Sequence, residues 1–134
     1  MDKISKIEII TRPERLEALK EALYAIRVTG MTVSQVYGCG LSRGYKEVYR
    51  GTEVAVNLLP KVKVEVVVCE VPVEAVLEAA QRACRTGNIG DGKIFVSTID
   101  NAVRIRTGEE GPAAIRDRQE ELNLVNETIG KGRK

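Results

Sequence analysis

Residues 85–96, RTGNIGDGKIFV, place three glycines, an aspartate and a lysine between a helical pattern and a strand pattern. Glycines let a backbone approach a ligand closely, and successive N–H groups can form a concave site for an anion. A lysine beside such a site supplies a compact positive charge that suits phosphate. The spacing is not that of a P-loop, and no Ser or Thr follows Lys93. The stretch indicates either a phosphate-binding loop or a tight helix-to-strand turn.

Arg104 and Arg106 form a second candidate site for an anion. A short strand is predicted over Ala102–Arg106, and side chains two positions apart on a strand share a face. Two guanidinium groups on one face repel each other unless an anion lies beside them, and phosphate is a natural bidentate partner. The alternative is a solvated face on which Glu109 and Glu110 are the partners.

A long polar segment and one acidic strand residue complete the candidates. Residues 41–57 are rich in charged residues and glycine and are far longer than an ordinary hairpin loop. Such a segment is either solvated surface or a loop that contacts a partner. Glu65 is the only acidic residue in the valine-rich strand at residues 61–69. It either faces solvent or accepts a hydrogen bond from a ligand.

Composition excludes several kinds of chemistry. The 134 residues include no histidine, no tryptophan and 3 scattered cysteines, Cys39, Cys69 and Cys84. Ser–His and Cys–His catalysis is therefore excluded, and we expect no catalytic residue, no metal site and no disulfide framework. The cysteines are expected to be inert, at least partly buried thiols. The formal net charge of +2 gives no case for nucleic-acid binding.

The expected compartment follows from hydropathy. No run approaches the roughly 18 apolar residues that a membrane span needs. The first ten residues, MDKISKIEII, read directly into a strand rather than into a signal peptide. We therefore expect a cytoplasmic protein that does not insert into membranes.

The elements that must position these residues fall into two similar halves, each with a strand, a helix and a strand. The predicted order is strand 6–10, a helix opened by Pro13 and closed by Gly30, strand 31–37, strand 61–69, a helix from Pro72, and strand 93–98. The first helix carries Leu16, Leu19, Leu23 and Ile26 on one face. Two such halves predict an α+β fold, a ferredoxin-like βαββαβ sandwich with an antiparallel sheet and both helices on one face. A further helix is predicted over about residues 113–125.

Taken together, these elements resemble the PII nitrogen-regulatory signal transducers of the GlnB and GlnK type. The resemblance is carried by GMTV at 30–33, YRG at 49–51, LPKVKVE at 59–65, TGNIGDGKIF at 86–95 and VRIRTGE at 103–109. It implies a PII-like domain at residues 1–115 and leaves residues 116–134 as a C-terminal extension. Within the domain it assigns about residues 40–57 to the family's T-loop and about residues 85–93 to its B-loop.

The resemblance implies a homotrimer that binds ATP or ADP in each cleft between neighbouring subunits, with Mg²⁺ as the ion that would accompany ATP. Lys93 would clamp the phosphates, and Arg104 and Arg106 would reach them from the neighbouring subunit. Thr32, Glu65 and Val67 would contact the adenine. The full set of implied nucleotide-binding residues is Ile10, Gly30, Met31, Thr32, Gly38, Gly40, Leu41, Ser42, Glu65, Val67, Gly90, Asp91, Gly92, Lys93, Arg104 and Arg106.

The family's T-loop reports the bound ligand to partners such as ammonium transporters and nitrogen-assimilation enzymes. The resemblance therefore implies a signal transducer that regulates nitrogen or carbon metabolism by contact of residues 41–57 with a transporter or enzyme. An enzymatic role in ATP hydrolysis is not expected, because no general base other than carboxylates is evident. Val54 stands where some relatives carry a uridylylated tyrosine, so this modification is not expected here.

The entrance of the T-loop departs from the family pattern. The family usually carries GRQKG, in which the glutamine serves the magnesium and 2-oxoglutarate site, whereas this chain has GLSRG at 40–44. Leu41 removes a phosphate-side arginine, and Ser42 is too short to replace the glutamine. The remaining candidates for binding an effector are Arg43, Gly44 and Lys61. The response to 2-oxoglutarate is therefore expected to be weakened or lost; the alternative is a PII-like sensor of another small anion, such as bicarbonate.

Overall fold

The computed structural model describes the backbone of residues 3–39, 47–49, 52–54 and 58–116. The elements are β1 (Ile4–Thr11), a 3-10 helix (Pro13–Arg15), α1 (Leu16–Ala25), β2 (Thr32–Cys39), β3 (Glu47–Tyr49), β4 (Thr52–Val54), β5 (Leu58–Val68), α2 (Val73–Cys84), β6 (Lys93–Ile99) and α3 (Pro112–Ile115). The two predicted strand–helix–strand halves are thus present. None of the described helices has the length and apolarity to cross a membrane.

The main sheet has the strand order β2-β5-β1-β6, and every neighbouring pair is antiparallel. With β1, β2, β5 and β6 as the four strands of the βαββαβ unit, this is the predicted ferredoxin-like arrangement. The central strand β1 pairs with both β5 and β6, so that Ile10 lies between Lys63 and Lys93. One end of the sheet therefore gathers candidate residues from three strands.

Both helices pack on one face of this sheet, as the periodicity predicted. From Lys61 to Val68 in β5 the side chains alternate between partly buried and buried, because successive side chains point to opposite faces. Leu19 and Leu23 of α1 are fully buried, and Leu16 and Ile26 pack partly buried beside them. Burying each such side chain stabilises the fold by about 1.5–3 kcal/mol. The core cluster comprises Ile7, Ile9, Leu19, Leu23, Val28, Val64, Val66, Val68, Val76, Ala80 and Cys84.

The prediction of a short strand over Ala102–Arg106 is wrong. Val103 makes only an isolated bridge with Glu110. Arg104 instead closes a turn: its N–H donates to the Glu109 carbonyl at 2.8 Å, and its carbonyl accepts from the Gly108 N–H at 2.7 Å. These local bonds satisfy the backbone without a sheet partner, so Arg104 and Arg106 do not share a strand face.

Two other parts of the secondary structure differ from the predictions. The helix α3 ends at Ile115, and the remainder of the helix predicted to about residue 125 lies outside the described residues. Between β2 and β5, the strands β3 and β4 pair as a short antiparallel hairpin that the sequence pattern did not indicate. This hairpin is the described part of the long polar segment.

The expectation of a buried Cys39 is also wrong. Cys39 is exposed and Cys69 is intermediate, whereas Cys84 is buried. Cys39 ends β2, an edge strand of the main sheet, and most of that strand is exposed. Burial raises the pKa of the Cys84 thiol, so that this residue stays a neutral, apolar-like member of the core at neutral pH.

The helix α1 ends earlier than the predicted stop at Gly30. Its last residue is Ala25, and Arg27 adopts a left-handed conformation with φ of 70°. The Val28 N–H donates to the Leu23 carbonyl at 3.0 Å, which satisfies one of the last carbonyls of the helix. Glycine usually occupies this left-handed position, because a Cβ is strained there.

Replacing Arg27 by glycine is therefore expected to raise the free energy of unfolding by about 0.5–1 kcal/mol, because the strain of a side chain at positive φ is removed. Urea-induced unfolding followed by circular dichroism measures the change. Lys20→Gly, in the middle of α1, is the control and should lower the free energy of unfolding by about 1 kcal/mol. A destabilised Arg27→Gly variant would contradict the strain argument.

Candidate nucleotide-binding site

The loop between α2 and β6 is closed by the carboxylate of Asp91. The Thr86 and Gly87 N–H groups donate to its Oδ2 at 2.8 Å and 2.9 Å, and the Thr86 hydroxyl donates to its Oδ1. The Nε of Arg12 lies 3.4 Å from the same Oδ1. The hydrogen bonds from the Thr86 hydroxyl and backbone hold the pKa of Asp91 far below its usual range, with further contributions from Gly87 and Arg12. Asp91 is thus ionised at neutral pH, and its charge is directed into its own loop.

Side chains from the ends of β1 and β5 hold three carbonyl oxygens of this loop. The Thr11 hydroxyl donates to the Asp91 carbonyl at 2.9 Å, and Arg12 Nη2 donates to the Ile89 carbonyl at 2.8 Å. Lys61 Nζ donates to the Gly90 carbonyl at 2.5 Å. The loop is therefore fixed to the sheet by polar contacts at each of these positions.

Gly92 allows the loop to lie directly against β1. Its φ is +107°, and a Cβ built at this position would lie 1.8 Å from the Ile10 carbonyl oxygen. No rearrangement of a flexible side chain can relieve this overlap, because the obstructing atom belongs to the backbone. The sequence places a glycine here because no other residue fits the approach of the two chain segments.

One group of the predicted site residues meets at this end of the sheet. Lys93 is the register partner of Ile10, and Lys61 is bonded to the loop. A Cβ at Gly38 would lie 3.4 Å from Lys61 Cγ, so this glycine is close to the same lysine. We call this group the loop half-site; its members are Ile10, Gly38, Lys61, Gly90, Asp91, Gly92 and Lys93. An open cavity of about 660 Å³ lies beside it, between β1, β6 and α2.

Glu65 lies near the middle of the sheet and is paired with lysines. It is the register partner of Thr32, and its Oε1 lies 3.4 Å from Lys6 Nζ and 3.7 Å from Lys63 Nζ. A hydrogen bond shared with Glu8, together with the two lysines, lowers the pKa of Glu65. Glu65 is therefore a carboxylate at neutral pH, on the sheet face opposite the helices.

Arg104 lies at the other end of the sheet. Its Nη2 donates to the Arg116 carbonyl at 2.5 Å, and Arg116 Nε lies 2.7 Å from Glu70 Oε1. Glu70 follows the last residue of β5, whereas Lys61 is near the start of that strand. Val68 lies seven positions after Lys61 along the strand, which corresponds to roughly 23 Å.

A second group of predicted residues lies on this side. Gly30 and Val67 line a small cavity of about 130 Å³ together with Glu70 and Arg116. Arg106 is exposed on the turn that Arg104 closes. We call this group, together with Thr32 and Glu65 from the middle of the sheet, the arginine half-site; its members are Gly30, Met31, Thr32, Glu65, Val67, Arg104 and Arg106. A single subunit does not bring the two half-sites onto one ligand.

The structure also shows residues that the sequence interpretation missed. Thr11 and Arg12 fix the loop, although nothing in their immediate sequence indicates this role, because their partners lie 80, 79 and 77 positions away. Five predicted residues lie outside the described part of the chain: Gly40, Leu41, Ser42, Arg43 and Gly44. Their assignment to nucleotide or effector binding stays a prediction.

Comparisons with known proteins show which family this chain resembles in sequence. The family described as nitrogen regulatory protein P-II matches residues 4–109. A nitrogen regulatory PII-like protein of Bacillus subtilis (strain 168) is 51% identical over 110 residues, which cover 82% of this chain and 95% of that protein. A nitrogen regulatory protein P-II of Rhizobium meliloti (strain 1021) is 51% identical over 112 residues, which cover 84% of this chain and 100% of that protein.

Solved structures show the same similarity. The structure of B. subtilis GlnK has a TM-score of 0.72 and 50% identity, over 84% of this chain and 98% of that one. A B. subtilis GlnK–ATP complex has a TM-score of 0.73 and 50% identity, over 84% of this chain and 97% of that one. The ferredoxin-like α+β fold is thereby confirmed. Because the family match spans residues 4–109 and these two relatives are about half identical to this chain over the aligned residues, the chain belongs to the nitrogen regulatory protein P-II family.

Proposed function

We propose that this protein is a sensor of ATP and ADP that binds the nucleotide between the loop half-site of one subunit and the arginine half-site of the next. Lys61 of the loop half-site lies roughly 23 Å along β5 from Val68, at the end of the sheet where Arg104 lies, and this separation is the observation that carries the proposal. One phosphate group cannot be reached by Lys93 and Arg104 of the same chain. That a related GlnK structure is a complex with ATP supports adenine nucleotide as the ligand.

The loop half-site is suited to a phosphate because it is shaped before the ligand arrives. Asp91 holds the Thr86 and Gly87 N–H groups, and Lys61 holds the Gly90 carbonyl. A preformed loop loses little conformational entropy on binding, so more of the interaction energy with the ligand appears as affinity. Lys93 supplies the positive charge beside this loop. Mg²⁺ would accompany ATP through the phosphates, which are its usual ligands in nucleotide sites.

A nucleotide site formed by one end of a subunit and the opposite end of its neighbour favours assembly into a closed ring. An interface between two different surfaces of the same chain either closes into a ring or continues as an open filament. The proposed ring is the homotrimer that the family resemblance implies. Apolar side chains exposed on the described surface support burial in an assembly: Phe95 at 50%, Val96 at 48%, Val103 at 56% and Ile105 at 100% exposure.

The segment between β2 and β5 is the part of the protein that we propose transmits nucleotide binding to a partner. Lys61 contacts the nucleotide loop through Gly90 and lies three residues from Leu58, where β5 begins. A ligand that changes the Lys61 contact therefore acts at the base of residues 41–57. We propose that this segment contacts a transporter or metabolic enzyme and so regulates nitrogen or carbon metabolism. In this role the protein acts in the cytoplasm, where its nucleotide ligands are, and as a regulator rather than as an enzyme.

The proposed response to 2-oxoglutarate is weak or absent. Lys61, the described candidate for contacting this effector, already donates to the Gly90 carbonyl at 2.5 Å. Leu41 and Ser42 replace the arginine and glutamine that the family usually carries there. The second candidate function is therefore a PII-like sensor in which another small anion, such as bicarbonate, modulates nucleotide affinity.

Lys93→Ala is expected to weaken ATP binding at least about tenfold, because a charge-assisted contact to phosphate contributes about 1.5–3 kcal/mol. Isothermal titration calorimetry of the purified protein measures the dissociation constant. Lys20→Ala is the charge-matched control, since Lys20 pairs with Glu17 on the outer surface of α1. Equal losses in the two variants would contradict the role of Lys93.

Titration of ATP and Mg²⁺ with and without 2-oxoglutarate is expected to give ATP dissociation constants within about twofold of each other. The same titration with bicarbonate tests the alternative effector. Tight 2-oxoglutarate binding that depends on ATP would overturn the proposed loss of this response despite Leu41 and Ser42. A bicarbonate-dependent shift of ATP affinity would favour the second candidate function.

Asp91→Asn is expected to weaken ATP binding and to reduce the acid sensitivity of the fold. The pKa of Asp91 is lowered by folding, so its ionised form stabilises the wild-type protein above about pH 4, and this contribution is lost as pH falls below that value. Thermal unfolding between pH 7 and pH 3 should therefore show a smaller loss of stability in Asp91→Asn than in wild type. Asp100→Asn, on an exposed bend after β6, is the control and should follow wild type. Identical pH profiles of the wild type and Asp91→Asn would contradict the assigned role of the carboxylate.

A further inference from the structure

Arg104, which the proposed function sends to a neighbouring subunit's phosphate site, is bound to its own chain in this structure. Its Nη2 donates to the Arg116 carbonyl at 2.5 Å, and its Nε lies 3.9 Å from Glu109 Oε1. The side chain is only 15% exposed. To reach a phosphate outside its own chain, the guanidinium must give up part of these contacts, and breaking hydrogen bonds of a charged group costs free energy.

The carbonyl that holds Arg104 is itself positioned by an ion pair. Arg116 Nε lies 2.7 Å from Glu70 Oε1, and the Arg116 N–H donates to the Pro112 carbonyl at 3.1 Å. The Arg116 and Glu70 side chains are 48% and 65% exposed. Exposed ion pairs of this kind stabilise a fold only slightly. The contact is therefore strong enough to position one carbonyl and weak enough for a ligand to displace it.

Arg116 also lies beyond the part of the chain that matches the family. The family match ends at residue 109, and Arg116 is the first residue of the predicted extension. The contact thus joins a residue of this extension to Arg104, which lies inside the family domain.

We propose that Glu70, Arg104 and Arg116 form a latch that competes with nucleotide for the Arg104 guanidinium. The inference rests on the proposed function, since it requires that Arg104 meets a phosphate in a neighbouring subunit. While the latch is closed, the Arg116 carbonyl holds Arg104 and nucleotide binds more weakly. When nucleotide engages Arg104, the Arg116 carbonyl loses its partner.

Thermodynamic coupling makes this effect reciprocal. If the latch weakens nucleotide binding by a given factor, nucleotide binding favours the open latch by the same factor. Nucleotide occupancy is then reported at two places: at the base of residues 41–57 through Lys61, and at Arg116, where the predicted extension begins. The extension thereby becomes part of the sensor.

The test measures ATP affinity by calorimetry for the full-length wild type, Glu70→Gln, Arg116→Ala and the double variant. Each single variant is expected to bind ATP up to about fivefold more tightly than wild type, because an exposed ion pair contributes up to about 1 kcal/mol. The double variant should gain no more than the better single variant, because both changes break the same contact. Arg116→Ala distinguishes the latch from a simple charge effect. Loss of a positive charge alone would weaken ATP binding, whereas release of Arg104 from the latch would strengthen ATP binding.

Glu78→Gln is the matched control. It removes an exposed carboxylate that pairs with Arg82 at 2.5 Å on α2, and neither residue contacts the latch. Its ATP affinity should equal that of wild type. Thermal unfolding verifies that the variants are folded, which the exposed positions of the substituted side chains favour.

A second readout is hydrogen–deuterium exchange of the wild-type peptide that contains the Arg116 amide. The latch predicts faster exchange of this peptide with ATP than without it. Unchanged or slower exchange would overturn the latch, as would ATP affinities of Glu70→Gln and Arg116→Ala that equal or fall below that of wild type. Absence of ATP binding in the wild type and in all variants would instead overturn the proposed function, and the latch with it.

Discussion

The pairing of β1 with both β5 and β6 is the constraint on which the rest of the structure depends. It fixes Ile10 between Lys63 and Lys93 and brings the loop between α2 and β6 to one end of the sheet. The same strands carry the chain to the opposite end before the turn at Arg104 begins. The two cationic groups are thus held apart by the length of rigid strands. A ligand that needs both groups must take them from two subunits, so binding and assembly become coupled through the sheet itself.

The sequence predicted the parts of the fold that depend on side-chain periodicity. The alternating valines at 61–69 and the spacing of the leucines in α1 indicate which face of each element is buried, because that face carries the apolar side chains. The prediction failed where backbone hydrogen bonds made within a few residues decide the conformation. The pattern at 102–106 resembles a strand, but Arg104 bonds to Gly108 and Glu109 within its own turn. The end of α1 before Arg27 was likewise missed, because the left-handed position that follows a helix usually carries glycine and here carries arginine.

The candidate site was predictable in its composition and only partly in its arrangement. Glycines and a lysine at 87–93 indicated a loop able to approach an anion, and the structure shows that Gly92 is required for the contact with β1. The partners of this loop were not predictable, since Thr11 and Arg12 reach it from about 80 positions away. The separation of Arg104 from Lys93 also depends on strand register, which no local pattern specifies.

The direction of the Asp91 carboxylate explains how a loop for polyanions tolerates a negative charge. Its oxygens accept from Thr86 and Gly87, the first residues of the loop, and from Arg12. These donors neutralise the carboxylate locally and are no longer available to a phosphate. In the proposed site, contacts with a phosphate therefore fall to the second half of the loop, around Gly90–Lys93, whose residues the family resemblance assigned to nucleotide binding. Asp91 thus contributes by shaping the loop, and in the proposed site Lys93 supplies the positive charge for the phosphate.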